Sequence, residues 1–252
     1  MSRLLKALPL ALAIVALIVL AAFAASCGSS SAQARFVNAI SNATAALDID
    51  FNGTKIFSQV AFPDFSASTY TSVPSGTDAI EGLGAGSNNQ AFPPINVSLN
   101  SGSSYTLVAA GLLANDVTIL NPVDNNTAPA NGTINFRVID ASSSTGSVDV
   151  YIIPNPVTKP ISSYPTTFSN LASLSTSGYA NQSFNSTGPG FSFFVTTHGN
   201  TIPLFTGVTL NGGSSSVGTV CTLVLTDTSD GNHMSSAPLL LEDLNNCTIA
   251  IN

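Results

Sequence analysis

RFVNAISNATAALDIDFNGTKIFSQV, residues 35–60, is the stretch whose reading decides the fold. Arg35–Ile40 is short and rich in aromatic and β-branched residues, which suits a strand. After a loop over Ser41–Ala45, Leu47, Ile49 and Phe51 alternate with Asp48 and Asp50. One face of that segment is apolar and the other acidic, the period-two signature of a half-buried strand. Asn52-Gly53 supplies two residues that tolerate positive φ, as a two-residue hairpin requires, and Thr54–Val60 returns as the partner strand. Downstream, Tyr70–Val73, Ile95–Leu99, Tyr105–Ala110 and Val117–Leu120 repeat the strand pattern, and Gly82–Gln90 reads as a glycine-asparagine loop. No segment beyond residue 34 carries the period of a long amphipathic helix, so the expectation is an all-β protein.

Asn121–Gly132 (NPVDNNTAPANG) lacks an apolar period and is dense in turn formers, which predicts a break between two units. The opening then recurs. Arg35-x-x-Asn38-Ala39 is answered by Arg137-x-x-Asp140-Ala141, Leu47-Asp48-Ile49 by Val148-Asp149-Val150, and Tyr105-Thr106-Leu107-Val108 by Cys221-Thr222-Leu223-Val224. Three matches in one order indicate a tandem duplication. The expected division is a first module over 35–123, a linker over 124–132 and a second module over 133–252. Pro154, Pro156, Pro160 and Pro165 loosen the middle of the second copy, and Phe191–Val195 and Leu204–Leu210 resume strand character.

The repeated R-x-x-N/D-A opening, followed by a loop and an apolar-Asp-apolar strand, resembles the bacterial domain of unknown function 4397. The resemblance implies an immunoglobulin-like or transthyretin-like β-sandwich in each of two tandem modules, often lipid-anchored or secreted. It implies no activity. The family often places His where this chain has Asn38 and Asp140.

Ahead of the modules, Arg3 and Lys6 precede an almost unbroken apolar run from Ala7 to Ala25, ending in Ala24-Ala25-Ser26-Cys27-Gly28. A basic start, an apolar middle and small residues before a cut read as a secretory signal helix over 1–26. Cys27 after three small residues looks like the bacterial lipobox, which implies lipidation of Cys27 and a short tether over 27–34. Gly28 and Ser29 lack the Asp that retains such proteins at the inner membrane, so the implied address is the outer membrane. Two alternatives stay open: a soluble secreted protein cut after Ala34 in Ala32-Gln33-Ala34, and an uncleaved helix, since the run approaches the ~20 residues a span needs.

Six Lys and Arg stand against thirteen acids, and the scattered cations left after the signal cannot form the basic patch that nucleic acid requires. Cys221 and Cys247 could pair in an oxidising compartment, closing a loop worth roughly 3.5 kcal/mol in the chain-entropy picture. Arg35 with Asp48, and Arg137 with Asp149, are expected to form cross-strand ion pairs that fix register.

Catalytic machinery is hard to assemble. No Gly-x-Ser-x-Gly elbow occurs, and His198 and His233 both read as turn residues. Only Glu81 and Glu242 could join an Asp as a glycosidase pair. Gly82-x-Gly84-x-Gly86 departs from the dinucleotide fingerprint. Asp227 and Asp230 lack the spacing of a calcium loop. Neither cofactor nor metal is expected. The Asn-x-Ser/Thr triplets, at Asn42, Asn52 and Asn131 among others, follow from composition, and the absence of Trp argues mildly against a sugar-stacking module. The reading is a non-enzymatic, lipid-anchored envelope protein that binds a surface protein or glycan through loops at a sandwich end, with Gly82–Gln90 and Pro154–Pro165 the favoured loops. A purely architectural component that packs against copies of itself is the alternative.

Overall fold

The computed structural model describes residues 30–67, 69–113, 116–130, 132–183, 190–205, 208–211, 218–244 and 248–251. The signal segment, Cys27 and Cys247 lie outside the described residues. The protein is all-β.

The first module runs through β1 (Ser31–Ile40), β2 (Leu47–Phe51), β3 (Thr54–Val60), β4 (Asp64–Phe65), β5 (Thr71–Pro74), β6 (Gly76–Gly84), β7 (Gln90–Leu99), β8 (Ser104–Gly111) and β9 (Thr118–Leu120). The second contains β10 (Thr133–Asp140), β11 (Val148–Pro154), β12 (Phe168–Leu171), β13 (Ser175–Thr176), β14 (Ala180–Ser183), β15 (Phe191–Thr197), β16 (Val208–Asn211), β17 (Thr219–Leu225), β18 (Leu239–Leu244) and β19 (Thr248–Ile251). A single 3-10 turn at Ile161–Ser163 is the helical element among the described residues.

Each module is a two-sheet sandwich. In the first, the sheet β4-β1-β8-β9, with β5 also on β1, covers the sheet β3-β2-β6-β7. In the second, β13-β10-β17-β18, with β14 also on β10, covers β12-β11-β15-β16-β19. The two modules share an unusual pairing: β1 lies parallel to β8 and β10 parallel to β17, where hairpin-connected strands would be antiparallel. The hairpin foreseen at Asn52-Gly53 forms, both residues at positive φ (50° and 77°).

Alternation along β1 explains the assembly. Ala32, Ala34, Phe36 and Ile40 enter the core of the first sandwich, with Ile49, Phe51, Ile80 and Leu107. Val37 and Ala39 point the other way and join Val108, Ala110, Ile139, Ala141, Val224 and Leu241 in a second apolar layer. That layer takes side chains from both modules, so β1, β8, β10 and β17 are buried on both faces. The inner sheets of the two sandwiches therefore pack on each other, and a fully buried Val, Leu or Ile in such a layer contributes roughly 1.5–3 kcal/mol.

Both modules share one polarity. Beyond the C-terminal ends of β1 and β10, a Cβ on Gly231 would come within 3.0 Å of Leu112 Cδ2 and Ser41 Oγ of the first module. This end is the far pole. The near pole holds Ser30, the Asn52-Gly53 hairpin, the Asn100–Gly102 turn and the start of β10.

Three boundaries differ from expectation. The tether ends early: Ser31–Ala34 already pair with Pro74–Thr71, and Ala32 and Ala34 are fully buried. Alanine carries little strand propensity, so only packing places these residues inside. Gly82–Gly84 belong to β6 rather than to a loop, pairing with Ile49, Asp48 and Leu47 of β2, and Gly82 must be glycine because a Cβ there would lie 2.2 Å from the Phe92 ring. The linker begins after Asp124, whose backbone N–H donates to the Ser104 carbonyl (2.8 Å) and whose side chain is buried.

Candidate functional site: a charge lock between the modules

The strongest concentration of chemistry lies between the inner sheets. The parallel registers set Arg35 beside Thr106 and Arg137 beside Thr222, and each arginine donates through Nε to its threonine hydroxyl, at 2.9 and 3.0 Å. The guanidinium groups then cross to the other module. Arg35 Nη1 donates to the Glu242 carbonyl (2.8 Å) and Nη2 to the Asp243 carboxylate. Arg137 Nη1 donates to the Val123 carbonyl (3.1 Å) and Nη2 to Asp124 Oδ1 (2.5 Å).

Each carboxylate is held by its own module before it meets the partner's arginine. Asp124 accepts from Thr106 Oγ1 (2.8 Å) and Tyr70 Oη (2.7 Å). Asp243 accepts from Thr222 Oγ1 (2.6 Å) and Tyr179 Oη (2.8 Å). The tyrosine rings also cap the cations: Arg35 lies over Tyr70 and Arg137 over Tyr179, at 5.1 and 4.9 Å from the ring centroids, a favourable cation–π distance. Second contacts of 3.8 Å, Arg35–Asp124 and Arg137–Asp243, close the four charges into a ring.

All four charged side chains are buried. Burial is the largest single influence on Arg137 and opposes its charge, yet Asp124, Asp243 and the other neighbours together outweigh it and raise the guanidinium pKa. Burial, with the neighbouring aspartates, drives both tyrosine hydroxyls upward, so they stay protonated and remain donors. Two positive and two negative charges, each hydrogen-bonded to an oppositely charged partner, make a neutral core for the interface, the arrangement in which buried ions are tolerated.

The expected pairs Arg35–Asp48 and Arg137–Asp149 are therefore overturned. β1 and β10 lie in the inner sheets and β2 and β11 in the outer ones, so arginine and aspartate of one module face away from each other. Asp48 instead accepts from Lys55 Nζ (2.6 Å), the Gln59 amide (2.9 Å) and the Gly86 amide (3.0 Å). Asp149 accepts from the Asn170 amide (2.7 Å), Ser169 Oγ (3.1 Å) and the Gly199 amide (2.9 Å), with His198 Nδ1 at 2.9 Å. In both modules the aspartate holds a residue at positive φ, Gln59 or Asn170, at a bulge in the edge strand. Lys55 and the Gly86 amide hold Asp48 down at about 2. At Asp149 burial pushes upward, but the hydrogen bonds from the Gly199 amide, His198, the Asn170 amide and Ser169 together prevail and it too falls to about 2.

A second polar cluster sits at the far pole of the second module. Asp227 accepts from Ser142 Oγ, the Ser143 amide (2.9 Å), Ser143 Oγ (3.1 Å) and Ser144 Oγ (2.6 Å). Next to it, Asp140 is fully buried and its Oδ1 accepts from the Ser142 amide (3.0 Å), while Oδ2 has no partner. Burial, with Asp227 nearby, pushes Asp140 up to about 7. In the first module the matching Asn38 donates Nδ2 to the Val60 carbonyl (3.0 Å).

Other sequence candidates fall into structural roles. Cys221 is buried in β17 and disulfide-bonded. Asp230 is exposed and caps its own turn through Thr228 Oγ1 (2.5 Å) and the Asn232 amide (3.1 Å). No group of three or more His, Cys, Asp or Glu able to hold a metal occurs among the described residues. The two favoured loops lie at opposite poles: Ala85–Asn89 at the far one, residues 155–167 at the near one, where Pro154, Tyr164 and Gln182 line a cavity of about 160 Å³. Sequence reasoning missed Asp124, Asp243, Tyr70 and Tyr179, although Thr106 and Thr222 stood in the repeated segments. Their spacings differ between copies because the intervening loops differ in length.

No curated protein matches the chain. The family model described as Domain of unknown function (DUF4397) matches residues 32–151, a span that includes Arg35, Asp48, Asp124, Arg137 and Asp149. Over those residues the chain belongs to that family.

Proposed function

We propose that this protein is a lipid-anchored, non-enzymatic component of the bacterial envelope that offers the far-pole loops of two locked sandwiches to a surface protein or glycan. The observation that carries the anchor is the burial of Ala32 and Ala34 in a strand that starts at Ser31. Cutting after Ala34 would delete the segment that pairs with β5, whereas cutting before Cys27 leaves the whole sandwich intact. This supports the lipobox reading over the secreted one.

The non-catalytic reading rests on how the ionisable groups are spent. Arg35, Arg137, Asp124 and Asp243 join the modules, Asp48 and Asp149 hold bulges, and Asp227 is enclosed by serines. At the far pole Ile202 is 72% exposed and Leu204 39% exposed, apolar contacts suited to a partner. The test compares wild type with Cys27→Ala by fatty-acid labelling and intact mass. Acyl mass on the wild type alone supports the anchor; a mature chain beginning at Arg35 refutes it.

A further inference from the structure

We infer that the near pole, formed by Ser30, Ser75, the Asn100–Gly102 turn and the Pro156–Ser163 loop, is the surface that rests on phospholipid headgroups. This rests on the anchored reading and adds an orientation to it. Two independent observations carry it: the length of chain between anchor and fold, and the placement of charge.

Ser30 is already tied to the sandwich, since Ser75 Oγ lies 2.8 Å from its carbonyl and 2.9 Å from its hydroxyl, and the Gly102 amide donates to the Ser31 carbonyl (2.9 Å). Only three peptide steps separate Cys27 from Ser30. At about 3.5 Å per residue the reach is roughly 10 Å at full extension. A body whose first strand alone is ten residues, about 33 Å long, then cannot tumble freely above the bilayer. The pole that contains Ser30 stays within headgroup range.

The charge distribution fits that contact. The exposed acids among the described residues, Asp64, Asp116 and Asp230, all lie toward the far pole. Asp64 pairs with Asn38 late in β1, the Asp116 carbonyl abuts Gly111, and Asp230 adjoins Gly231. The partly exposed Glu81 and Glu242 lie along the strands. At the near pole Ser30, Ser75, Asn100, Ser101, Gly102, Thr158, Pro160 and Ser162 are uncharged, and Lys159 is exposed. An acidic chain with thirteen acids against six cations thus turns toward anionic headgroups a hydroxyl-rich end whose own acids, Asp50 and Asp78 beside the Asn52-Gly53 hairpin, are buried, and keeps its exposed carboxylates away from them. The same placement leaves Ile202 and the far-pole loops facing outward.

The experiment uses the full-length protein purified from membranes, with a fluorophore on a single added cysteine, Ser101→Cys at the near pole or Ser229→Cys at the far pole. Each is placed in phosphatidylcholine–phosphatidylglycerol vesicles carrying headgroup spin labels, after intact mass has established the acyl group. Several-fold stronger quenching at position 101 than at 229 is expected, and Ser75→Glu with Ser101→Glu, read through a fluorophore on Ser162→Cys, should weaken near-pole quenching as phosphatidylglycerol increases. Equal quenching at 101 and 229 in acylated protein overturns the orientation and leaves the anchor standing. A preparation without acyl mass overturns both.

Discussion

The two modules use the same carboxylate for the same task and supply its side-chain partner differently. In the first, Lys55 from β3 reaches Asp48; in the second, His198 beyond β15 reaches Asp149. The bulge and the positive-φ residue are common to both. At the next matching position the copies diverge in kind: Asn38 gives a neutral donor to a backbone carbonyl, while Asp140 leaves a carboxyl oxygen buried without a partner. The charge lock, by contrast, is reproduced on both sides, atom for atom in its main contacts. What joins the modules is alike on both sides, and what lies within each differs.

The largest effect should follow from breaking the lock. Asp243→Ala strands Arg35 and Asp124→Ala strands Arg137; loss of one partner of a buried pair costs about 3–5 kcal/mol. Urea unfolding should show similar losses for the two variants. Strongly unequal losses would show that the interface is less symmetric than its contacts. Arg35→Met with Asp243→Leu should recover much of the loss, since no buried charge is then left on that side.

Asp140 tests the divergence. Its folded pKa of about 7 exceeds the usual aspartate value near 3.9, so the native state binds the extra proton. Stability is then fully present below about pH 4 and falls as pH rises through 7. The ceiling for that loss is on the order of 4 kcal/mol. Asp140→Asn should abolish the slope and raise Tm at pH 8; Asn38→Asp should create a similar slope in the first module. A wild-type Tm that does not decline from pH 4 to pH 7 relative to Asp140→Asn would remove the neutral-carboxyl account.

Smaller effects concern the outer sheets. Gly82→Ala should cost about 1–3 kcal/mol through its clash with Phe92. Asp48→Ala leaves the Gln59 and Gly86 amides without their acceptor, for about 1–3 kcal/mol, and Asp149→Ala should match it if the two roles are equivalent. Because both carboxyls sit near 2, their contribution is present above about pH 4 and disappears as the pH falls toward 2. Thermal melts at pH 7 and pH 2 separate the two limits.

The fold was legible because period-two patterning, the Asn52-Gly53 turn and the echo of Arg35 by Arg137 are local signals, each fixed by backbone geometry over a few residues. They determined the all-β class and most strands. They could not reveal that the inner sheets are buried on both faces, because Val37 and Ala39 alternate with Phe36 and Asn38 in a pattern equally at home on a solvated surface. The partners of Arg35 and Arg137 were beyond reach for the same reason: proximity to Asp48 along the chain says nothing about which sheet a strand joins. Only the stacking of two sandwiches brings Asp243 to Arg35 across most of the chain length, where desolvation makes that contact decisive.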